Sequence, residues 1–182
     1  MNSVPQFTHT AIYVKDLKRM AVFYQSFLGL VVSDSGPGMT FPADFVFFTG
    51  DPDKHHQFVL ATGRAENTPS TINQVSFRIK TLAELKHYAN TAKACGALSV
   101  SPLNHGNALS IYVQDPESNT IEIYLDTPWY VSQPYGKPLD LTLSDDEIWS
   151  RTEAMVKADP TFMPRDQWMA KVSERIRAQL SN

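Results

Sequence analysis

The chain is 182 residues long, 42% hydrophobic and 19% charged, which excludes a disordered polymer and leaves room for one domain plus an appendage. A formal net charge of -3 supplies no excess of cations for a nucleic-acid binder that works by counterion release. Cys95 is the single cysteine, so neither an intrachain disulfide nor a cysteine zinc cage is available, and a reducing cytoplasm is expected. The start, Met1 to Pro5, has no basic or apolar run of the signal-peptide kind, and no apolar stretch is long enough to span a membrane.

In chain order, residues 7 to 14 alternate as a strand, and Leu17–Leu28 carries Leu17, Met20, Ala21, Tyr24, Phe27 and Leu28 at helical spacing, with Gly29 at the expected C-cap. Strands follow at about Leu30–Ser33, Phe45–Thr49 and His56–Thr62. The pattern then returns at an offset of 65: Val14 meets Ile79, Lys15 meets Lys80, Leu17 meets Leu82 and Phe23 meets Tyr88. The second copy predicts a strand over 73 to 79 and a helix over Leu82–Ala94 closed by Gly96. Its remaining strands are Leu98–Ser101, Ala108–Gln114 and Thr120–Asp126, the last two joined by the turn Asp115-Pro116-Glu117-Ser118-Asn119. The fold class is therefore α+β: two βαβββ modules over residues 1–127, pairing into a cup-shaped mixed sheet with both helices on the convex side. Residues 128–182 form an arm and a two-helix tail. Ser144 to Glu147 has capping-box form, Pro160 ends the first helix and Pro164 opens the second, whose stripe is Trp168, Val172, Ile176 and Leu180. That stripe needs a surface to pack on, its own barrel or a partner subunit, and burial of Trp149 and Trp168 is expected.

Several strands have a polar face opposite an apolar one. Gln74, Ser76 and Arg78 oppose Val75, Phe77 and Ile79. Ser110, Tyr112 and Gln114 oppose Leu109, Ile111 and Val113. Glu122, Tyr124 and Asp126 oppose Ile121, Ile123 and Leu125. A half-solvated antiparallel sheet explains each strand singly. The repeat changes that weighting, because His9 and Gln74 occupy equivalent positions and Glu122 falls opposite position 57, beside His56. A pseudo-twofold axis would gather His9, His56, Gln74 and Glu122 in one cup, a donor set suited to iron(II), manganese, zinc or nickel rather than calcium.

Over about residues 5 to 126 this arrangement resembles the vicinal oxygen chelate superfamily, which includes glyoxalase I, bleomycin-resistance proteins and type I extradiol dioxygenases. The extradiol pattern is carried by His9 on the first strand, His55-His56 entering the last strand of the first copy, and Tyr112 ten residues before Glu122. Ser110-Ile111-Tyr112, the Asp115 to Asn119 turn and His105 accompany them. The resemblance implies a metal held by His9, Gln74 and Glu122, with Gln74 standing where the family has a second histidine. It implies His56 as acid/base catalyst, with Tyr112 and His105 bonding the bound oxygen or the ring-derived intermediate, and Fe(II) as cofactor with Mn(II), Zn(II) and Ni(II) as alternatives. A small aromatic substrate with vicinal oxygens, dioxygen and a homodimer are the implied partners. Two other readings stay open: a glyoxalase-type isomerase or lyase with His56 on the metal, and a protein that binds an aromatic compound without turnover. Closure of the cup within one chain and closure across a dimer are equally open.

Overall fold

A computed structural model describes residues 3–181; Met1, Asn2 and Asn182, part of the N-terminal reading and of the tail, lie outside the described residues. The first module runs β1 (Thr10–Val14), α1 (Leu17–Leu28), β2 (Val31–Pro37), β3 (Asp44–Thr49) and β4 (Phe58–Thr62). The second runs β5 (Val75–Arg78), α2 (Leu82–Thr91), β6 (Ser99–Asn104), β7 (Ala108–Gln114) and β8 (Thr120–Asp126). β1 pairs in parallel with β4, and β5 with β8, so the sequence repeat is also a repeat of topology. The two main sheets are ordered β1-β4-β3-β2 and β10-β6-β7-β8-β5, where β10 is Lys137–Pro138 from the arm, and among the described residues no strand joins one to the other. The α+β class and the doubled βαβββ unit are as the sequence predicts.

Helix ends follow local chemistry. Asp16 accepts from the Arg19 amide to start α1, and Gly29 closes it at φ 68, a left-handed conformation open to glycine at no steric cost. Thr81 and Glu84 form a capping box on α2. α2 ends at Thr91 rather than Ala94; the chain continues in turns, with Cys95 N–H on Thr91 O, and tightens at its end where Gly96 N–H bonds Lys93 O. β1 and β4 begin at Thr10 and Phe58, later than the alternation predicts, so His9 and His56 sit at strand entrances.

The helix-side faces of both sheets merge into one core. Ile12 and Val14, Phe23, Tyr24 and Phe27, Leu82 and Leu85, Ile111 and Val113, and Ile121 and Ile123 all belong to it. Rings bridge the modules, Phe58 to Phe77 with centroids 6.0 Å apart and Phe27 to Tyr88 at 5.5 Å. Because the helix-side faces share this core, the opposite faces of the two sheets look away from it.

The turn at Asp115–Asn119 fastens the modules together. Buried Asp115 accepts from the Tyr24 hydroxyl at 2.8 Å, the Asn119 side-chain amide at 2.7 Å and the backbone amides of Glu117 and Asn119. The Glu117 carboxylate caps the start of α1 through the Lys15 and Asp16 amides at 2.9 and 2.7 Å, and Arg64 donates to Asn119 Oδ1 at 2.7 Å. Burial pushes the Asp115 carboxyl above its ordinary value while its four donors oppose that shift. Asp115→Ala would leave the Tyr24 hydroxyl and the Asn119 donors buried without an acceptor, a loss of about 3 kcal/mol or more. Urea denaturation should show it as a lowered midpoint; a change below about 1 kcal/mol would mean the turn is fastened by something else.

The arm and tail comprise β9 (Trp129–Tyr130), β10, α3 (Asp145–Lys157), β11 (Met163–Pro164) and α4 (Arg165–Ser181). Ser144 and Glu147 form the predicted capping box. α3 buries Ile148, Thr152 and Val156, and the Thr152 hydroxyl accepts from the Asn104 side chain at 2.8 Å. Gly106, at φ +72, allows this approach: a Cβ there would stand 3.1 Å from Val156 of α3 and 2.5 Å from Val131 of the arm. Pro164 does not enter the second helix; it pairs with Trp129 in a short ladder, and the helix starts at Arg165. Trp149 and Trp168 are half-buried rather than buried, against Trp129 at 6.2 Å and stacked on Tyr130 at 5.4 Å. α4 has no buried residue, and Ile176 of its stripe is exposed. No helix among the described residues is long and apolar enough to cross a membrane.

Candidate functional site

The candidate residues gather in two sets, one on each sheet face that turns away from the shared core. On the first sheet, the His9 and His56 rings meet edge to face with centroids 4.5 Å apart, and Phe47 packs on His56 at 5.3 Å. His55 bonds His56 through their Nδ1 atoms at 2.9 Å and reaches Asp34 at 3.1 Å through Nε2. Burial holds His56 below the ordinary histidine range, and the neighbouring His9 and His55 rings push the same way. The rest of this face is apolar: the register sets Ala11 beside Val59 and Tyr13 beside Ala61, with Phe47 and Phe45 on their other side. It is open, with Tyr13 63% exposed and Phe7, Met39 and Phe41 exposed around it.

On the second sheet, Glu122 is the centre and is buried. Its Oε2 accepts from Gln74 Nε2 at 2.8 Å and Ser76 Oγ at 2.6 Å, and its Oε1 accepts from Ser110 Oγ at 2.8 Å. β5 and β8 pair Ser76 with Glu122, which is what brings Gln74 within reach. Tyr112 lies opposite Glu122 on β7. Its hydroxyl is pushed up to about 12 by burial first and then by the Glu122 charge, so it remains a phenol and a proton donor at neutral pH. His105 bonds Tyr112 at 2.9 Å through Nε2 and the Tyr135 carbonyl at 2.7 Å through Nδ1. A carbonyl only accepts, so Nδ1 carries the hydrogen and neutral His105 offers Nε2 as acceptor to the Tyr112 hydroxyl.

The structure thus brings Gln74, Tyr112, His105 and Glu122 together and His9 and His56 together, without joining the two sets in one chain. Among the described residues no group of three or more His, Cys, Asp or Glu side chains stands close enough to hold a metal ion. The donor chemistry of two imidazoles, a carboxylate and an amide oxygen suits a first-row divalent ion. Three hydrogen bonds leave Glu122 about one of its four acceptor positions for such an ion. The residues therefore fit a metal only when the face bearing His9 is set against the face bearing Glu122. Ser76 and Ser110 were not singled out as site residues from sequence, although both lie on the alternating polar face that identifies Gln74 and Tyr112. The Tyr135 carbonyl that orients His105 has no side-chain signature at all.

Comparison with known proteins bears on the fold and the family. The model of the Glyoxalase/Bleomycin resistance protein/Dioxygenase superfamily matches residues 6–123. Biphenyl-2,3-diol 1,2-dioxygenase 3 of Rhodococcus globerulus is 28% identical over 132 residues, covering 69% of this chain and 66% of that protein. Biphenyl-2,3-diol 1,2-dioxygenase 2 of the same organism is 24% identical over 160 residues, covering 79% and 81%. Among solved structures, a glyoxylase/bleomycin resistance protein/dioxygenase domain from Frankia superposes with a TM-score of 0.59 at 18% identity, over 69% of this chain and 94% of the other. The fosfomycin resistance protein FosX of Listeria monocytogenes, solved with Mn(II) and sulfate, superposes at 0.54 with 23% identity over 69% and 95%. With a repeated βαβββ fold, a polar face built around Glu122, and a family model covering most of both modules, the chain belongs to the glyoxalase/bleomycin resistance protein/dioxygenase superfamily.

Proposed function

We propose that the chain is a metal-dependent enzyme of the cytoplasm that opens a catechol-like aromatic ring with dioxygen, by extradiol cleavage, and works as a homodimer. The observation that carries this reading is the division of the donors. On the face with His9 and His56 the carboxylate is Asp34, engaged by His55, and on the face with Gln74 and Glu122 the histidine is His105, engaged by Tyr112 and the Tyr135 carbonyl, so among the described residues neither face alone gathers a metal-holding set. Two copies related by a twofold axis would set each face against its complement twice over, as isologous association requires. The metal, iron(II) by preference with manganese(II), zinc(II) or nickel(II) as alternatives, would be held by His9, Gln74 and Glu122 and would make a bound catechol hydroxyl more acidic.

The protein's own groups supply the rest. His56, neutral at pH 7, accepts a proton from the substrate hydroxyl. His105, fixed by the Tyr135 carbonyl, takes the single Tyr112 hydroxyl proton on Nε2, which holds the phenol in place and turns its oxygen into an acceptor for a substrate hydroxyl. Phe45, Phe47 and Tyr13 wall the ring and keep water away. A second reading, an isomerase of the glyoxalase type with His56 as a metal ligand, draws on the 4.5 Å contact between the His9 and His56 rings. A protein that binds its aromatic ligand without turnover is the third. Elemental analysis of protein purified without chelator, followed by an oxygen electrode with a catechol, separates them. Metal with oxygen uptake supports cleavage, metal without it supports the isomerase, and ligand binding without metal supports sequestration.

Gln74→His probes the point where the chain departs from two histidines and a carboxylate. Gln74 points at Glu122, so an imidazole there would replace a weak amide donor by a stronger one. Iron(II) affinity should rise roughly tenfold, read as a lower Kd in a chelator competition. An unchanged Kd would place residue 74 off the metal.

A further inference from the structure

The outward face of the second sheet holds a second polar cluster beyond Glu122. β8 presents Glu122, Tyr124 and Asp126 on one face in succession, at about 7 Å per step of two residues. Arg78 occupies the same face of β5, next to Tyr124 in the register. Arg165, the first residue of α4, is brought over the same point by the tail. Its Nη2 lies 2.9 Å from Asp126 Oδ2, and Arg78 Nη1 lies 3.4 Å from that same oxygen. Two guanidinium charges thus lean on one carboxylate, with Glu122 the other acidic group on this face, about 13 Å along β8 from Asp126. Each guanidinium has five N–H donors in a rigid fork that matches a carboxylate. Among the described residues, Asp126 is the acceptor that both side chains share.

We infer that Arg78 and Arg165 bind a carboxylate on the substrate, which makes the substrate a catechol-like aromatic with an acidic side chain. This rests on the reading of the Glu122 site given under Proposed function. The spacing is that of a ruler: vicinal oxygens at Glu122, ring across Tyr124, acidic substituent between the levels of Tyr124 and Asp126, about 7 to 13 Å along β8. Asp126 holds the two guanidiniums in place and competes for them. The incoming carboxylate takes over Arg78 most readily, because that contact is the longer one and the Arg78 side chain is 65% exposed. The arm and tail thereby have a role in substrate choice, carrying Arg165 to the rim of the site.

The test is anaerobic calorimetry on the full chain with 3,4-dihydroxyphenylacetate and its methyl ester, then oxygen uptake with both. The acid should bind at least about tenfold tighter than the ester. Arg78→Gln and Arg165→Gln should each remove most of that preference by weakening the acid far more than the ester, while Arg165→Lys restores part of it. Asp126→Asn should tighten the acid several-fold, because it removes the competitor; a purely structural tie between Asp126 and Arg165 would give the opposite sign. Arg78 is exposed enough that its variant tests the subsite even if Arg165→Gln perturbs the tail. A preference that survives both glutamine variants, or an Asp126→Asn variant that binds the acid more weakly, overturns the inference. Oxygen uptake with both compounds and no preference for the acid sinks the anion subsite and spares the ring-cleaving reading. Arginine-dependent preference without oxygen uptake does the reverse.

Discussion

Mixing chains that carry His9→Ala with chains that carry Glu122→Ala will restore activity that neither has alone. Each variant by itself should lose metal and at least about 10²-fold in turnover, since loss of a ligand costs no less than loss of a group that merely orients one. In a dimer whose sites are shared, a mixed pair has one site with both lesions and one with neither. Half the dimers in an equal mixture are mixed, so about a quarter of the wild-type activity returns. If the cup instead closed within one chain, every site would keep its own lesion and nothing would return. The measurement is oxygen uptake after co-expression or after denaturing and refolding the two variants together. Glu122 is buried and accepts from Gln74, Ser76 and Ser110, so Glu122→Gln is the gentler partner if the alanine variant proves unstable.

His56→Gln is expected to keep its metal and lose turnover on the order of 10²-fold or more. The pH dependence follows from the direction of its shift. Burial and two neighbouring imidazoles depress the His56 pKa, so the ring stays a neutral proton acceptor well into the acid range. A bound cation would act in the same sense, since it penalises a second positive charge. The acid limb of kcat/KM should therefore fall away below the ordinary histidine pKa, and that limb should disappear in the glutamine variant. Metal lost together with His56 would move the residue to the ligand set and favour the isomerase reading. A variant with full metal and full activity would remove His56 from the mechanism altogether.

How much was legible in the sequence depends on whether the signal is local. α1 spans Leu17–Leu28 as its periodicity predicts, because helix spacing and the Gly29 cap are both written within a few residues. The capping boxes at Thr81 and Ser144 are equally local. The side on which Gln74 stands was legible from alternation and agrees with its bond to Glu122. The disposition of the two sheets was not legible. Parity says that Ile12 and Phe77 face a core, and it is silent on whether that core is one or two, and therefore on what covers the opposite faces. The apolar stripe of α4 names no partner by itself. Its spacing predicts a covered face, on the barrel or on a second subunit, and within one chain Trp168 stacks on Tyr130 while Ile176 is exposed. His105 was legible as a site residue only through resemblance, since the atom that orients it is a backbone carbonyl 30 residues away.

The turn that fastens the modules also has a consequence for the order in which the molecule can be made. The amides at the head of α1, at Lys15 and Asp16, wait for a carboxylate that lies 102 and 101 residues further along. On a ribosome the first module is therefore complete, with β1 already paired to β4, well before Glu117 and Asp115 emerge to cap α1 and take the Tyr24 hydroxyl. During that interval its helix-side aromatics, Phe23, Phe27 and Phe58, lack the half of the core that Phe77 and Tyr88 later supply. Contacts this distant in sequence are slow to form, and apolar surface exposed in the meantime is where chaperones act and aggregation starts. Chaperone cover of the first module, and a lower temperature that weakens apolar association, should then favour soluble product by protecting each chain while one module is finished and the other still unmade.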